Sequence, residues 1–190
     1  RSDAGNAEGG SYLLGARYAF REDTRIRGSY ARQIRFPTLR DLYEIDRGNT
    51  SLEPEDSDNF EFALERDFRD GRSGAELVLY RVDAKNFIAR GPSGLAENYD
   101  ELRFQGFELN GRHSVGGNFE LRAGYTFLDS ENQGADAETN ELQNRPEHKL
   151  SVRLDYDWRP DTRLYAAYLY VADSLALSRT TPVETTEVGD

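Results

Sequence analysis

The chain has no cysteine and no methionine, two histidines and a single tryptophan in 190 residues. Without cysteine there are no disulfides and no thiolate metal site, a composition that fits an oxidising compartment only weakly. His113 and His148 have no Asp or His partners at metal-ligand spacing, so no metal site, cofactor site or catalytic constellation is expected and both histidines read as structural or solvated. No apolar run approaches the roughly 18 residues of a spanning helix, and the opening residues Arg1 to Gly10 lack the apolar segment of a secretory signal. With no methionine either, the chain reads as an internal segment of a longer protein. Basic residues are also scarce, 24 Lys and Arg against 35 Asp and Glu for a net charge of -11, and none are clustered. Nucleic acid is thereby excluded as a partner, since phosphate recognition needs a basic face. Hydrophobic residues make up 37% and the mean hydropathy is -0.79, values that alone would suit a disordered chain. Against disorder stand the aromatics, 12% of the chain with 11 Tyr and 10 Phe, which require something to bury or anchor them.

The pattern that uses them has a period of two. Phe60, Phe62, Leu64 and Phe68 fall on one face of an extended chain, and Glu61, Ala63, Glu65 and Asp67 on the other. Phe119, Leu121, Ala123, Tyr125 and Phe127 alternate with Glu120, Arg122, Gly124 and Thr126, and Leu150 to Trp158 repeats the pattern. Noisier alternation covers Tyr12 to Phe20, Thr24 to Gln33, Ala75 to Ala89, Phe104 to His113 and Arg163 to Val171. The spacing predicts about eight strands of roughly 9–12 residues, the length of a tilted membrane strand. Short polar turns follow Phe20, Phe68, His113 and Trp158, whereas long loops are expected at about 35–57, 90–103 and 129–147, with a last one trailing from about Ala172. One trimmed rim and one elaborated rim is the asymmetry of an outer-membrane barrel. Phe20, Phe68, Phe119 and Trp158 flank the short turns, as an interfacial aromatic girdle would.

On the opposite face, Arg25, Arg27, Glu61, Glu65, Glu108, Arg122, Arg153 and Asp155 are expected to point inward and to pair across neighbouring strands. So many ions in a dry core would be costly, so their number argues for a wide barrel with a wet or filled lumen. The same alternation also fits the core face of a soluble β-sandwich serving as a binding module, or a small closed barrel acting as a structural anchor or adhesin. Dependence on detergent separates the first of these from a membrane barrel.

The loop Arg35-Phe36-Pro37-Thr38-Leu39-Arg40-Asp41-Leu42-Tyr43, followed by Gly48-Asn49-Thr50-Ser51-Leu52-Glu53-Pro54-Glu55-Asp56-Ser57, resembles a signature of the TonB-dependent receptors. Asp41 stands where that signature usually has glutamate, and the acidic residue opening the next strand is Glu61. Gly106-Phe107-Glu108-Leu109, Gly124-Tyr125-Thr126-Phe127-Leu128-Asp129 and Arg145-Pro146-Glu147-His148-Lys149-Leu150 are similar to further strands of the family, in family order. The resemblance implies an all-β, antiparallel up-and-down transmembrane barrel in the outer membrane of a Gram-negative cell. About eight strands of a barrel of about twenty-two would lie within residues 1–190, as one partial barrel domain without the plug and without the terminal strands. It implies a transporter rather than an enzyme, importing a scarce nutrient, with a ferric siderophore foremost. Implied partners are outer-membrane lipid and lipopolysaccharide, the nutrient chelate and the inner-membrane coupling protein TonB, reached through the plug.

Within the signature, Phe36, Pro37, Leu39, Leu42, Tyr43, Gly48, Asn49, Leu52, Pro54 and Glu55 read as loop-shaping residues. The prolines cannot donate to a strand ladder, Gly48-Asn49 is a turn pair, and Glu55 and Ser57 are placed to cap loop amides. If the cargo is an anionic ferric chelate, arginines and tyrosines at the loop rim and upper lumen should meet it. Arg35, Tyr43, Arg47, Arg90, Tyr99 and Arg103 are the candidates. Asp129, Glu131, Asp136, Glu138 and Glu141 form an acidic run, read first as a solvated loop and second as a cation bridge to lipopolysaccharide.

Overall fold

The computed structural model describes residues 8–68, 71–91, 93–133, 145–177 and 185–188. Eight strands pair antiparallel in chain order: β1 (Tyr12–Arg21), β2 (Thr24–Arg35), β3 (Glu55–Phe68), β4 (Ser73–Arg90), β5 (Ala96–Val115), β6 (Phe119–Asn132), β7 (His148–Arg159) and β8 (Thr162–Ala172). The expected number of strands is therefore found, in an up-and-down order. A five-residue helix, α1 (Leu39–Tyr43), lies between β2 and β3, and β9 (Ser174–Leu177) pairs with β10 (Thr185–Val188). Two loop expectations change. Most of the 90–103 segment is strand, since β5 begins at Ala96, and the stretch after Ala172 contains the β9–β10 pair rather than only a trailing loop.

The register shows how the sheet is tilted. Thr24 opposes Arg66, yet β3 runs two residues further before its turn at Phe68; Ser73 opposes His113, yet β5 runs two further to Val115; Phe119 opposes Tyr156, yet β7 runs three further to Arg159. The short turns thus step the same way each time, by just over one residue per strand. With a rise of about 3.3 Å per residue and about 4.8 Å between strands, that stagger corresponds to a strand tilt of about 40°, the value barrel walls adopt. Among the described residues β1 and β8 each pair on one side only, so this stretch is a curved wall and not a closed barrel.

The two faces differ sharply. The outer face carries an apolar belt, illustrated by the rung Ile26, Leu64, Leu77, Leu109, Tyr125, Leu150 and Tyr170 running across seven strands. These large side chains stand out from the sheet unburied, Leu109 at 49% and Leu77 at 36% exposed, which is unfavourable in water and suited to hydrocarbon. Phe20, Phe68, Phe119 and Trp158 edge the belt at the short turns, with Phe119 stacked on Tyr156 at 4.2 Å. At the loop end Tyr12, Tyr30 and Phe60 form a second aromatic edge, Tyr30 and Phe60 lying 4.9 Å apart.

Above that second edge the polarity inverts. On the outer face Arg81, Asp83 and Lys85 continue β4 where Leu77 and Leu79 stood, and Arg103 bridges to Asp83 at 2.8 Å. Arg32 pairs with Asp56, and Gln105 donates to Asp129 at 2.9 Å. On the inner face at the same height the side chains become small or apolar, and Ala31, Ser57, Ala84, Leu102 and Phe104 are buried. The β4–β5 hairpin bends over this inner patch at Asn86, whose φ of 52° is left-handed. As a result Phe87 meets Phe104 at 5.6 Å, although strict alternation would place them on opposite faces.

Below the bend, Tyr80 lies across Gly106, its paired residue on β5, and its hydroxyl donates to the Phe127 carbonyl at 3.2 Å. A Cβ on Gly106 would stand 2.0 Å from that same oxygen, so a glycine is required and the tyrosine ring covers it. Gly106→Ala should therefore destabilise the folded protein by about 3 kcal/mol or more, and Tyr80→Phe by about 1 kcal/mol. Urea unfolding in phospholipid vesicles reads both; equal stability of the three proteins would contradict this packing.

Candidate functional site on the inner face

The inner face of the belt region is ionic because alternation puts every second residue there and those residues are largely Arg, Glu and Asp. Arg27 on β2 lies at the centre. It donates to Glu61 at 3.1 Å, Glu65 at 3.0 Å and Glu76 at 2.7 Å, tying β2 to β3 and β4. Arg17 on β1 and Arg25 on β2 also reach Glu65, each at 3.1 Å. Asp67 receives Arg25 at 2.8 Å and Arg112 of β5 at 2.7 Å, so one lattice of charges crosses five strands. Across β6 and β7 the expectation of cross-strand pairs is corrected: Arg122 pairs with Glu120 and Arg153 with Asp155, each two residues away on its own strand. Arg153 opposes Arg122 in the register, and two facing cations leave each to find its carboxylate along its own strand. Glu108 makes no ion pair among the described residues, and its neighbours across the sheet are Val78 and Thr126. The sheet curls around this face, forming a concavity lined by Glu65, Asp67, Glu76, Arg112, Arg122 and Arg153.

At the loop end the signature segment forms a strap over the bent hairpin. Thr38 caps α1 in a reciprocal box: its hydroxyl accepts from the Asp41 amide at 3.2 Å, while the Asp41 carboxylate accepts from the Thr38 amide at 3.0 Å. Those Thr38 bonds, the hydroxyl first, hold the Asp41 carboxyl below its ordinary range. Gly48 closes the segment against α1, and its Cβ position would lie 2.7 Å from both the Glu44 nitrogen and the Leu42 oxygen. The Ala96 amide donates to the Arg47 carbonyl at 3.0 Å and the Asn49 side chain donates to the Ala96 carbonyl at 3.0 Å. β3 starts only at Glu55, after Pro54, so the edge of β4 beyond Lys85 loses its strand partner. Side chains replace it. Glu55 accepts from the Ile88 amide at 3.2 Å and receives Arg35 at 2.6 Å, while Arg35 also donates to the Ile88 carbonyl at 3.4 Å. Ser57 is buried and accepts from the Asn59 side chain at 3.2 Å rather than from a loop amide.

The six rim candidates therefore stand in different places. Arg35 is engaged with Glu55, and Arg90 with Glu44 at 2.8 Å and the Gly94 carbonyl at 3.2 Å. Tyr99 donates to the Arg90 carbonyl at 3.5 Å. Arg103 projects from the outer face onto Asp83, away from the lumen. Tyr43 and Arg47 stand exposed, and Arg47 makes no ion pair among the described residues. Of the acidic run, Asp129 and Glu131 belong to β6, while Asp136, Glu138 and Glu141 lie outside the described residues. His113 shares a hydrogen bond with Ser73 at 2.7 Å and His148 one with Tyr125 at 2.8 Å, and no metal-ligating cluster occurs among the described residues. One cation was not singled out from the sequence: Arg145, just before β7, lies over Phe104 at 5.0 Å and Phe87 at 5.9 Å. Three segments far apart in the chain make that stack, so no local pattern could reveal it.

Glu44 clasps the strap to the hairpin, and Arg40 and then Arg90 draw its carboxyl from 4.5 down to about 2. Because the folded value is the lower one, the stabilisation is complete above the ordinary carboxylate range and is lost as pH falls through it toward 2. The protection of the Arg47 and Gly48 amides, their exchange measured against the intrinsic rate at each pH, should fall over that interval. Glu44→Gln should show low protection of these amides already at neutral pH and no further loss on acidification. An acid step unchanged in the variant would contradict the clasp.

The sequence profile described as "TonB dependent receptor-like, beta-barrel" matches residues 2–187. Over 118 residues the chain is 28% identical to the metal-pseudopaline receptor CntO of Pseudomonas aeruginosa, a match covering 60% of this chain and 17% of CntO. Over 140 residues it is 28% identical to the vitamin B12 transporter BtuB of Photobacterium profundum, covering 66% and 22% respectively. The ferripyoverdine receptor of the outer membrane of Pseudomonas aeruginosa has the same fold over 92% of this chain and 24% of its own, with a TM-score of 0.67 and 16% identity. The chain spans about a fifth of the length of the curated relatives it matches. The chain belongs to the TonB-dependent receptor family, as part of its β-barrel.

Proposed function

We propose that this chain forms part of the wall of an outer-membrane transporter that imports a scarce nutrient as a chelate, with a ferric siderophore as the leading cargo. The observation that carries the reading is the two-faced sheet: an ionic inner face, with a lattice of ion pairs across five strands, inside an apolar belt suits a polar cargo crossing hydrocarbon. The kinds of cargo named for relatives, metal–pseudopaline, vitamin B12 and ferripyoverdine, are chelates of a metal ion, which supports a metal complex over a glycan. Lipid contacts the belt, and lipopolysaccharide headgroups face the ionic rungs above it. Energy comes from TonB through a plug encoded outside these residues. At the rim, Tyr43 and Arg47 are the candidates left open to a chelate, while Arg35 and Arg90 shape the surface that presents them.

Deleting the whole gene in its host should abolish growth on at least one ferric chelate under iron limitation, with growth in excess iron unchanged. Uptake of radiolabelled iron from the same chelate should fall to background. Undiminished growth and uptake across a panel of ferric chelates would overturn the iron assignment, and loss of cobalamin uptake instead would redirect it.

A further inference from the structure

Among the described inner-face arginines, Arg145 is handled differently. Arg17, Arg25, Arg27, Arg35, Arg112, Arg122, Arg153 and Arg163 each face a carboxylate. Arg145 has none among the described residues and is exposed; its guanidinium rests instead on the rings of Phe104 and Phe87. Its position on the inner side follows from the ladder. The Leu128 amide donates to the Glu147 carbonyl at 2.9 Å, and Leu128 opposes Gly106 on β5. Arg145, two residues before Glu147, therefore falls on the face from which Phe104 projects. The bend at Asn86 is what brings Phe87 under it, and Phe104 itself is buried at 8% exposure. The guanidinium thus rests against two aromatic rings and meets no carboxylate among the described residues.

A cation held this way loses little rotamer freedom on binding, and a guanidinium is a planar fork of donors. A carboxylate would have neutralised it, as happens to its neighbours on the wall. We infer that Arg145, presented by Phe104 and Phe87, is a specificity-determining contact for negatively charged, oxygen-rich metal chelates. This deepens the transport reading above and rests on it. The chelate's anionic oxygens meet the N–H edge, and a flat ligand ring has the remaining guanidinium face to stack on. Neutral chelates gain much less, since a charge-assisted bond is roughly twice as strong as a neutral one.

The test is equilibrium binding to the purified full-length receptor in detergent, using a ferric tris-catecholate, which is anionic, and a ferric trihydroxamate, which is neutral. Arg145→Ala should weaken the tris-catecholate by about tenfold, or about 1.4 kcal/mol, and change any trihydroxamate binding by less than about twofold. Arg145→Lys should recover part of the loss, because the charge returns without the planar fork, and Phe104→Leu should lose part of it while keeping the charge. Heat-dependent migration on gels verifies that each barrel is folded. Equal losses for the two chelates, or no loss for the anionic one, would overturn the role of Arg145. A parent receptor that binds only the neutral chelate would also overturn it while leaving the transport reading standing. A parent that binds neither would overturn the transport reading for ferric chelates, and this contact with it.

Discussion

The structure depends on one constraint: ions are kept off the outward face through the middle of the belt, and the outward-facing Arg66, two residues from the end of β3, lies over the Phe68 ring at 5.1 Å and 4.0 Å from Asp23. An arginine or lysine on the lipid side of a barrel costs about 2–4 kcal/mol at the bilayer midplane, so β2 to β7 carry their belt-level charges almost entirely on the inner face, whereas β8 is apolar on both faces from Leu164 to Ala172. The split forces the charges together on the inner face, where neighbouring strands are under 5 Å apart. Opposite signs then pair on that surface, and Arg27 alone joins three carboxylates on two strands. Individually such half-exposed pairs contribute little, about 0.2–1 kcal/mol each. Their importance here is that they fix register, because slipping a strand by one residue would turn its whole charged set toward lipid.

The same constraint explains where the wall changes character. Once β4 and β5 rise past the belt, the outer face is free to carry Arg81, Asp83 and Arg103, and the inner face is free to bury Ala84, Leu102 and Phe104. That small inner core gives the bent hairpin and the strap something to rest on. The strap in turn supplies the hydrogen bonds that the end of β3 withholds, with Arg35 and Glu55 serving the two polar groups of Ile88. The same inner core seats Phe87 against Phe104, with Arg145 over both rings.

Legibility in the sequence follows the same boundary. Inside the belt, Phe60 to Phe68 and Phe119 to Phe127 alternate in one phase with aromatics at the turn ends, and strand number, order and facing could be read directly. Above the belt the phase reverses, so that Arg81-Val82-Asp83-Ala84-Lys85 still alternates but with its charges outward. Read without that reversal, it resembles noise, and this is why β5 begins at Ala96 rather than at the expected Phe104 and why Arg103 lies on the outer face rather than toward the lumen. The capping role of Glu55 was visible from its chemistry, but its partner was not, because Ile88 lies 33 residues away. The pairing of Arg122 and Arg153 along their own strands depended on the register, which places two arginines opposite one another.

The central claim is that odd and even residues of a strand face different solvents. These residues include no native cysteine, and the direct measurement uses single cysteines at Glu76, Leu77, Val78, Leu79 and Arg81 of a full-length protein otherwise free of cysteine, in bilayers, each carrying a spin label. Labels at positions 77 and 79 should collide with dissolved oxygen and be shielded from a water-soluble nickel chelate, while those at 76 and 78 should not share that lipid signature. The label at position 81, although on the outer face, should be open to the nickel complex. Uniform water accessibility from 76 to 79, or a lipid signature on the even positions, would contradict the account.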